Sequence, residues 1–186
     1  MGYLTHHFGP ALLALGLTAL PLAAQDAADI AEVERLAEAF ERATETDDPT
    51  QTLPMFPPHY VTYMSESNGI TEADYVAWLK DAAAQMEGIV DITSSDIDTD
   101  PITFSEIEEG TPYALLPTRN MIEIRDPEEP GFVSKVQEDS TTLAIKEDGA
   151  WHMIRLGSAG QQEAVIATYP FLQNLDLPAA TTQVVE

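Results

Sequence analysis

The chain has 186 residues, of which 44% are hydrophobic and 22% charged, enough for one domain with a real core and too few for two substantial ones. Lys and Arg total 8 against 32 Asp and Glu, a formal charge of −24 with a pI near 4.1, so nucleic acid and anionic lipid find no counter-charge and neither is an expected partner. There is no cysteine, which excludes disulfides, a thiolate nucleophile, Cys-ligated zinc and a lipobox. The acidity reads as a solvated surface, or as one that docks on a basic protein.

The N-terminal residues 11–22 form a short apolar run closed by Pro21 and followed by Ala23-Ala24-Gln25-Asp26. This pattern predicts a signal peptide over 1–24, cleaved after Ala24, and hence a periplasmic or secreted protein without membrane insertion after cleavage. The run is shorter than the roughly 20 apolar residues that a spanning helix needs. Its leading segment carries His6 and His7 in place of the usual Lys or Arg, and both would be removed with it. The alternative is an amphipathic or core helix.

The mature chain is expected to be a single α+β domain over 25–177. Ile30, Val33, Leu36, Ala37 and Phe40 recur at helical spacing, with Asp29 and Glu32 placed as in a capping box, which predicts a helix over 30–43. Pro49, Pro54, Pro57 and Pro58 then impose an irregular crossing. Residues 59–66 fit either a strand or a short helix; Pro58 before them and Asn68-Gly69 after them favour helix. Thr71 caps the clearest helix, over 72–86, with Tyr75, Val76, Leu79, Ala82, Ala83 and Met86 on one face and Gly88 beyond its end.

From Ile89 the hydrophobic period falls to two. Residues 89–97, 102–108, 112–125, 132–138, 141–147 and 150–157 read as strands separated by short Pro- and Gly-containing breaks, which implies an antiparallel meander. A short C-terminal helix over 161–169 follows, and a tail over 178–186 is expected to fray.

Asp148-Gly149 can take the positive φ of a tight hairpin turn. With a two-residue loop, Ile145 pairs with His152, Leu143 with Ile154 and Thr141 with Leu156, which puts the imidazole on an apolar face. The other face then carries Thr142 beside Arg155 and Lys146 beside Trp151, a cation-π geometry. A three-residue loop over 147–149 would instead turn His152 away and bring Trp151 and Met153 in beside Leu143 and Ile145. The first register segregates polar from apolar side chains better and is preferred.

Helices followed by a long antiparallel sheet, ending in a hairpin that carries Leu143, Ile145, Lys146, Asp148, Gly149, Trp151 and Ile154, resemble the NTF2-like superfamily over about residues 30–157. That resemblance implies N-terminal helices packed on a strongly curved sheet that wraps a helix into a cone with an apolar pocket. Its members include isomerases, dehydratases, hydrolases and proteins with no known reaction. No catalytic motif of the superfamily can be carried over position by position, and fold-level likeness alone does not assign chemistry. The segment after Gly157 is extra to the minimal fold and could cap the cone mouth or form a homodimer contact.

Candidate site residues follow from side-chain chemistry. His59 and His152 are the mature chain's only histidines, and His152 is the better candidate for a general base in a cone pocket; packing beside Ile145 is the simpler role. Tyr60, Tyr63, Tyr113 and Trp151 could line a ligand site or supply core area. Arg119 stands out among few bases and shares a strand face with Met121, Glu123 and Arg125, which suggests a solvated face, with an internal ion pair or an anion site as the alternative. An EF-hand loop starting at Asp96 would need Gly and Glu where Pro101 and Ile107 stand, so no metal is expected, and no cofactor either. A serine elbow, glycine-rich phosphate loop, HExxH and dinucleotide fingerprint are absent. The leading expectation is non-catalytic binding of a small apolar ligand or a protein partner. The alternatives are a small-molecule isomerase, dehydratase or hydrolase with His152 as base, and an acidic inhibitor of a basic enzyme.

Overall fold

A computed structural model describes residues 22–46, 49–106, 111–129, 131–175 and 177–185. Of the expected signal segment, 1–24, the residues up to 21 lie outside the described residues, and 22–24 form the start of the first helix. Helix α1 runs Leu22–Thr44, several residues longer at its start than the apolar spacing indicated, because residues 22–29 are rich in good helix formers and contain no Pro or Gly. Its buried stripe is Val33, Leu36, Ala37, Phe40 and Ala43. A 3₁₀ segment, Pro49–Met55, makes the proline-rich crossing. Helix α2, Pro58–Ser67, starts on Pro58, whose fixed φ suits a first helical turn. Helix α3, Glu72–Met86, has the predicted bounds, and its Thr71 cap accepts the Asp74 N–H at 3.1 Å.

The strands are β1 (Val90–Ile97), β2 (Ser105–Glu106), β3 (Pro112–Arg125), β4 (Val133–Glu147), β5 (Ala150–Arg155) and β6 (Thr181–Val185), with helix α4 (Ala159–Thr168) between the last two. They form one strongly curved, six-stranded antiparallel sheet, a half-barrel in the order β1-β3-β4-β5, with β2 on β3 and β6 on β4. The α+β class with N-terminal helices on a curved sheet and a short C-terminal helix is therefore as expected.

Three expectations are corrected. The strands expected over 132–138 and 141–147 are one, because β3 pairs with β4 without interruption and Asp139 sits opposite Arg119 instead of ending the ladder. Of the strand expected over 102–108, Ser105–Glu106 pairs, while 107 and 108 lie outside the described residues. The tail expected to fray carries a strand. Short β5 covers β4 only from Thr142 to Glu147, which leaves the backbone of Lys135 to Asp139 free along that edge, and β6 pairs there.

The β4–β5 turn has Asp148 at φ 51° and Gly149 at φ 83°, the left-handed pair of a two-residue hairpin. The register is the preferred one: Ile145 faces His152, Leu143 faces Ile154, Thr142 faces Arg155 and Lys146 faces Trp151. The expectation of one polar face, however, is overturned. Trp151 and Met153 join Ala114, Leu116 and Ala144 against the apolar stripe of α1, so α1 covers the face expected to carry the polar side chains. On the opposite face Tyr113, Leu143, Ile145, Ile154 and Leu156 pack against Tyr60 of α2 and against Val165, Tyr169 and Leu172 of the C-terminal segment. A sheet buried on both faces reads as a near-continuous apolar run rather than a clean alternation.

Helix α1 also closes the outer edge of β1. The Glu41 carboxylate accepts the Ile97 N–H at 2.6 Å and Glu45 accepts the Ser95 N–H at 2.8 Å, which blunts an edge open to intermolecular pairing. Among the described residues no helix is long and apolar enough to cross a membrane.

Candidate functional site

The side chains picked out from the sequence do not converge on one place. Tyr60 is buried, hydrogen-bonded to Tyr75 and edge-on to Phe56; burial and the neighbouring Tyr75 push its hydroxyl well above the usual range. Tyr113 is buried, with its ring 5.1 Å from Phe171, and Tyr63 is half-buried on α2. Trp151 lies on the opposite face of the sheet from Tyr113. Arg119 lies on an exposed face, as expected, and donates to Asp139 at 2.8 Å, with Asp96 its neighbour on the other side, so its charge is spent on a surface ion pair. His152 is half-buried opposite Ile145, and its imidazole makes no hydrogen bond among the described residues. None of the three cavities described below is lined by His152, Tyr60, Tyr63, Tyr113 or Trp151.

Three polar clusters escaped the sequence. In the first, Asp29 of α1 accepts from Lys146 Nζ at 2.5 Å and from Trp151 Nε1 at 3.0 Å, while Lys146 lies 5.8 Å from the indole centroid, the predicted cation-π pair. Burial pushes the Asp29 carboxyl up, but the hydrogen bonds from Lys146 and Trp151 and the lysine charge outweigh it and hold the group below the usual carboxylate range. In the second, buried Glu147 accepts the Tyr169 hydroxyl and, at 3.1 Å, the His59 N–H in the first turn of α2; its carboxylate is 3.4 Å from His59 Nδ1. Burial and then the Glu147 carboxylate push the Tyr169 hydroxyl up. A carboxylate here favours the positive end of α2 and lies beside a largely exposed imidazole. No spacing rule links positions 59, 147 and 169, so nothing local could have found the cluster. In the third, Glu138 accepts from Asn120 at 3.2 Å and lies 3.8 Å from Arg155.

The cavities lie elsewhere. One of about 410 Å³ is acidic, lined by Asp96, Asp98, Asp100 and Asp139 around Arg119. No cluster of acids and histidines among the described residues is arranged to hold a metal ion. The largest of the three, about 660 Å³, is a groove between the end of α1 at Thr44, the last turns of α3 and the start of β1. Its walls are apolar: Leu79, Ala82, Ala83 and Met86 from α3, and Val90 and Ile92 from β1. Of the apolar stripe expected on one face of α3, only Tyr75 is buried. Met86 is 48% exposed and Trp78 57%, because α3 packs chiefly on α2 and the 3₁₀ segment. A smaller cavity of about 230 Å³ shares Gly88 and Arg125 with the groove and extends it toward exposed Phe132 and Val133.

Comparison of the chain with protein-family models, with curated proteins and with solved structures found no match.

Proposed function

We propose that the protein is an exported, non-catalytic binding protein with an NTF2-like cone, and that the groove between α1, α3 and β1 takes a small apolar ligand. The observation that carries this reading is the groove itself, about 660 Å³ with six apolar side chains on its walls. That volume falls within the roughly 300–1,000 Å³ of small-molecule sites, which are mostly apolar with a few polar groups at the margin. The dispersal of His152, Tyr60, Tyr113 and Arg119 favours binding over catalysis, since a general base needs its partners within hydrogen-bond reach. The cone reading draws on the curved sheet with a helix on one face, together with the hairpin residues that resemble the superfamily.

A titration with the neutral fluorophore N-phenyl-1-naphthylamine tests the reading. Saturable enhancement is expected for the parent chain, with loss of at least about tenfold in affinity for Leu79→Trp, which fills the groove with an indole. Equal binding by both chains would refute the groove as the site.

A further inference from the structure

We propose that the ligand of this groove is a cationic amphiphile, an apolar body carrying an ammonium head; this rests on the binding reading above and adds the charge of its occupant. The apolar walls accept the body. What the head meets is decided by the charges around the mouth.

Two helices end there. Thr44, the last residue of α1, and Met86, the last of α3, both line the groove, so two sets of C-terminal carbonyls bring partial negative charge to one place. The last turn of α3 contains no basic residue to offset this. Arg42 in the last turn of α1 is 3.6 Å from Glu38. Glu87, at the C-terminal cap of α3, adds a full negative charge and enters no ion pair among the described residues.

Among the described residues the one cationic side chain on the wall, Arg125, is already engaged. Arg125 Nη2 is 2.8 Å from Glu123 Oε2 and 3.6 Å from Asp91 Oδ2, and Lys135 Nζ holds the other Glu123 oxygen at 3.2 Å. Two cations and two carboxylates cancel, which leaves Glu87 and the helix ends uncompensated. Among the described residues that line the groove an anionic head would find no free cation, and it would approach a chain of formal charge −24. An ammonium head finds a carboxylate, helix carbonyls and a favourable field, all at the rim of an apolar slot.

Competition experiments on the full chain test this with three dodecyl amphiphiles matched in tail: dodecyltrimethylammonium, dodecyl maltoside and dodecyl sulfate, each below its micellar concentration, displacing N-phenyl-1-naphthylamine. The cation should displace the probe at a concentration about tenfold lower than the neutral compound, and the anion at a concentration about tenfold higher. Glu87→Gln should lower the ratio of cation to neutral affinity several-fold, and Arg125→Gln, which frees Asp91 and leaves Glu123 with Lys135 alone, should raise it. Equal displacement by cation and neutral compound would overturn the proposal while leaving the groove as an apolar site. A cation preference untouched by either substitution would also overturn it, as attraction to the acidic surface at large. Failure of the neutral probe itself to bind would overturn both the proposal and the binding reading.

Discussion

The two ends of the sheet treat their helices differently. At the β4–β5 hairpin both faces are sealed: Met153 and Leu143 have no exposed surface, and they look in opposite directions, one toward α1 and the other toward the C-terminal segment. At the start of β1 the helix meant to cover the sheet stands off, and Leu79, Met86, Val90 and Ile92 line a groove instead of a core. The same kind of apolar side chain therefore does different work according to what packs over it. Where α1 lies flat on the sheet the residues supply stability, and where α3 leans on α2 they leave a slot.

The largest expected effect separates the ends by stability. Met153→Ala should cost about 2–5 kcal/mol in urea unfolding, since the fully buried site cannot collapse onto the missing atoms. Equal costs for Met153→Ala and Leu79→Ala would erase the distinction. Next, Glu147→Ala should cost about 1–3 kcal/mol, because it strands the buried Tyr169 hydroxyl and the first turn of α2; circular dichroism across a denaturant series would show it.

A third effect depends on pH. Asp29 sits below the usual carboxylate range in the folded chain, so its contribution is complete above about pH 4 and is lost as the pH falls through the lower folded value. Acid unfolding of Asp29→Asn should accordingly be shallower than that of the parent below about pH 4, and identical slopes would mean that the Lys146 and Trp151 contacts do not act on the fold. The smallest effect belongs to the groove: Leu79→Ala should change stability by less than about 1 kcal/mol, as expected at a half-buried wall, while weakening the neutral probe.

How much could be read from the residues alone follows the same division. Local signals held: Thr71 with Asp74 for α3, Pro58 for α2, and Asp148-Gly149 for the hairpin and its register. The register was chosen because it separated polar from apolar side chains, yet the structure buries both faces, since Lys146 finds Asp29 on α1 and Trp151 goes inside with it. Contacts between distant positions were not legible. Asp29 with Lys146, His59 with Glu147 and Tyr169, and β6 on the open half of β4 all depend on how elements are laid over one another. The groove was hidden for a related reason: the periodicity of α3 marks an apolar face and says nothing of whether another element covers it.

The most direct test of the groove as the binding site is an NMR titration of the isotopically labelled chain with N-phenyl-1-naphthylamine. Amide shifts concentrated at Leu79, Ala82, Ala83, Met86, Val90 and Ile92, with Leu143, Ile145 and His152 unmoved, are the predicted result. Shifts centred on His152 and Tyr113 with the α3 residues unmoved would contradict it.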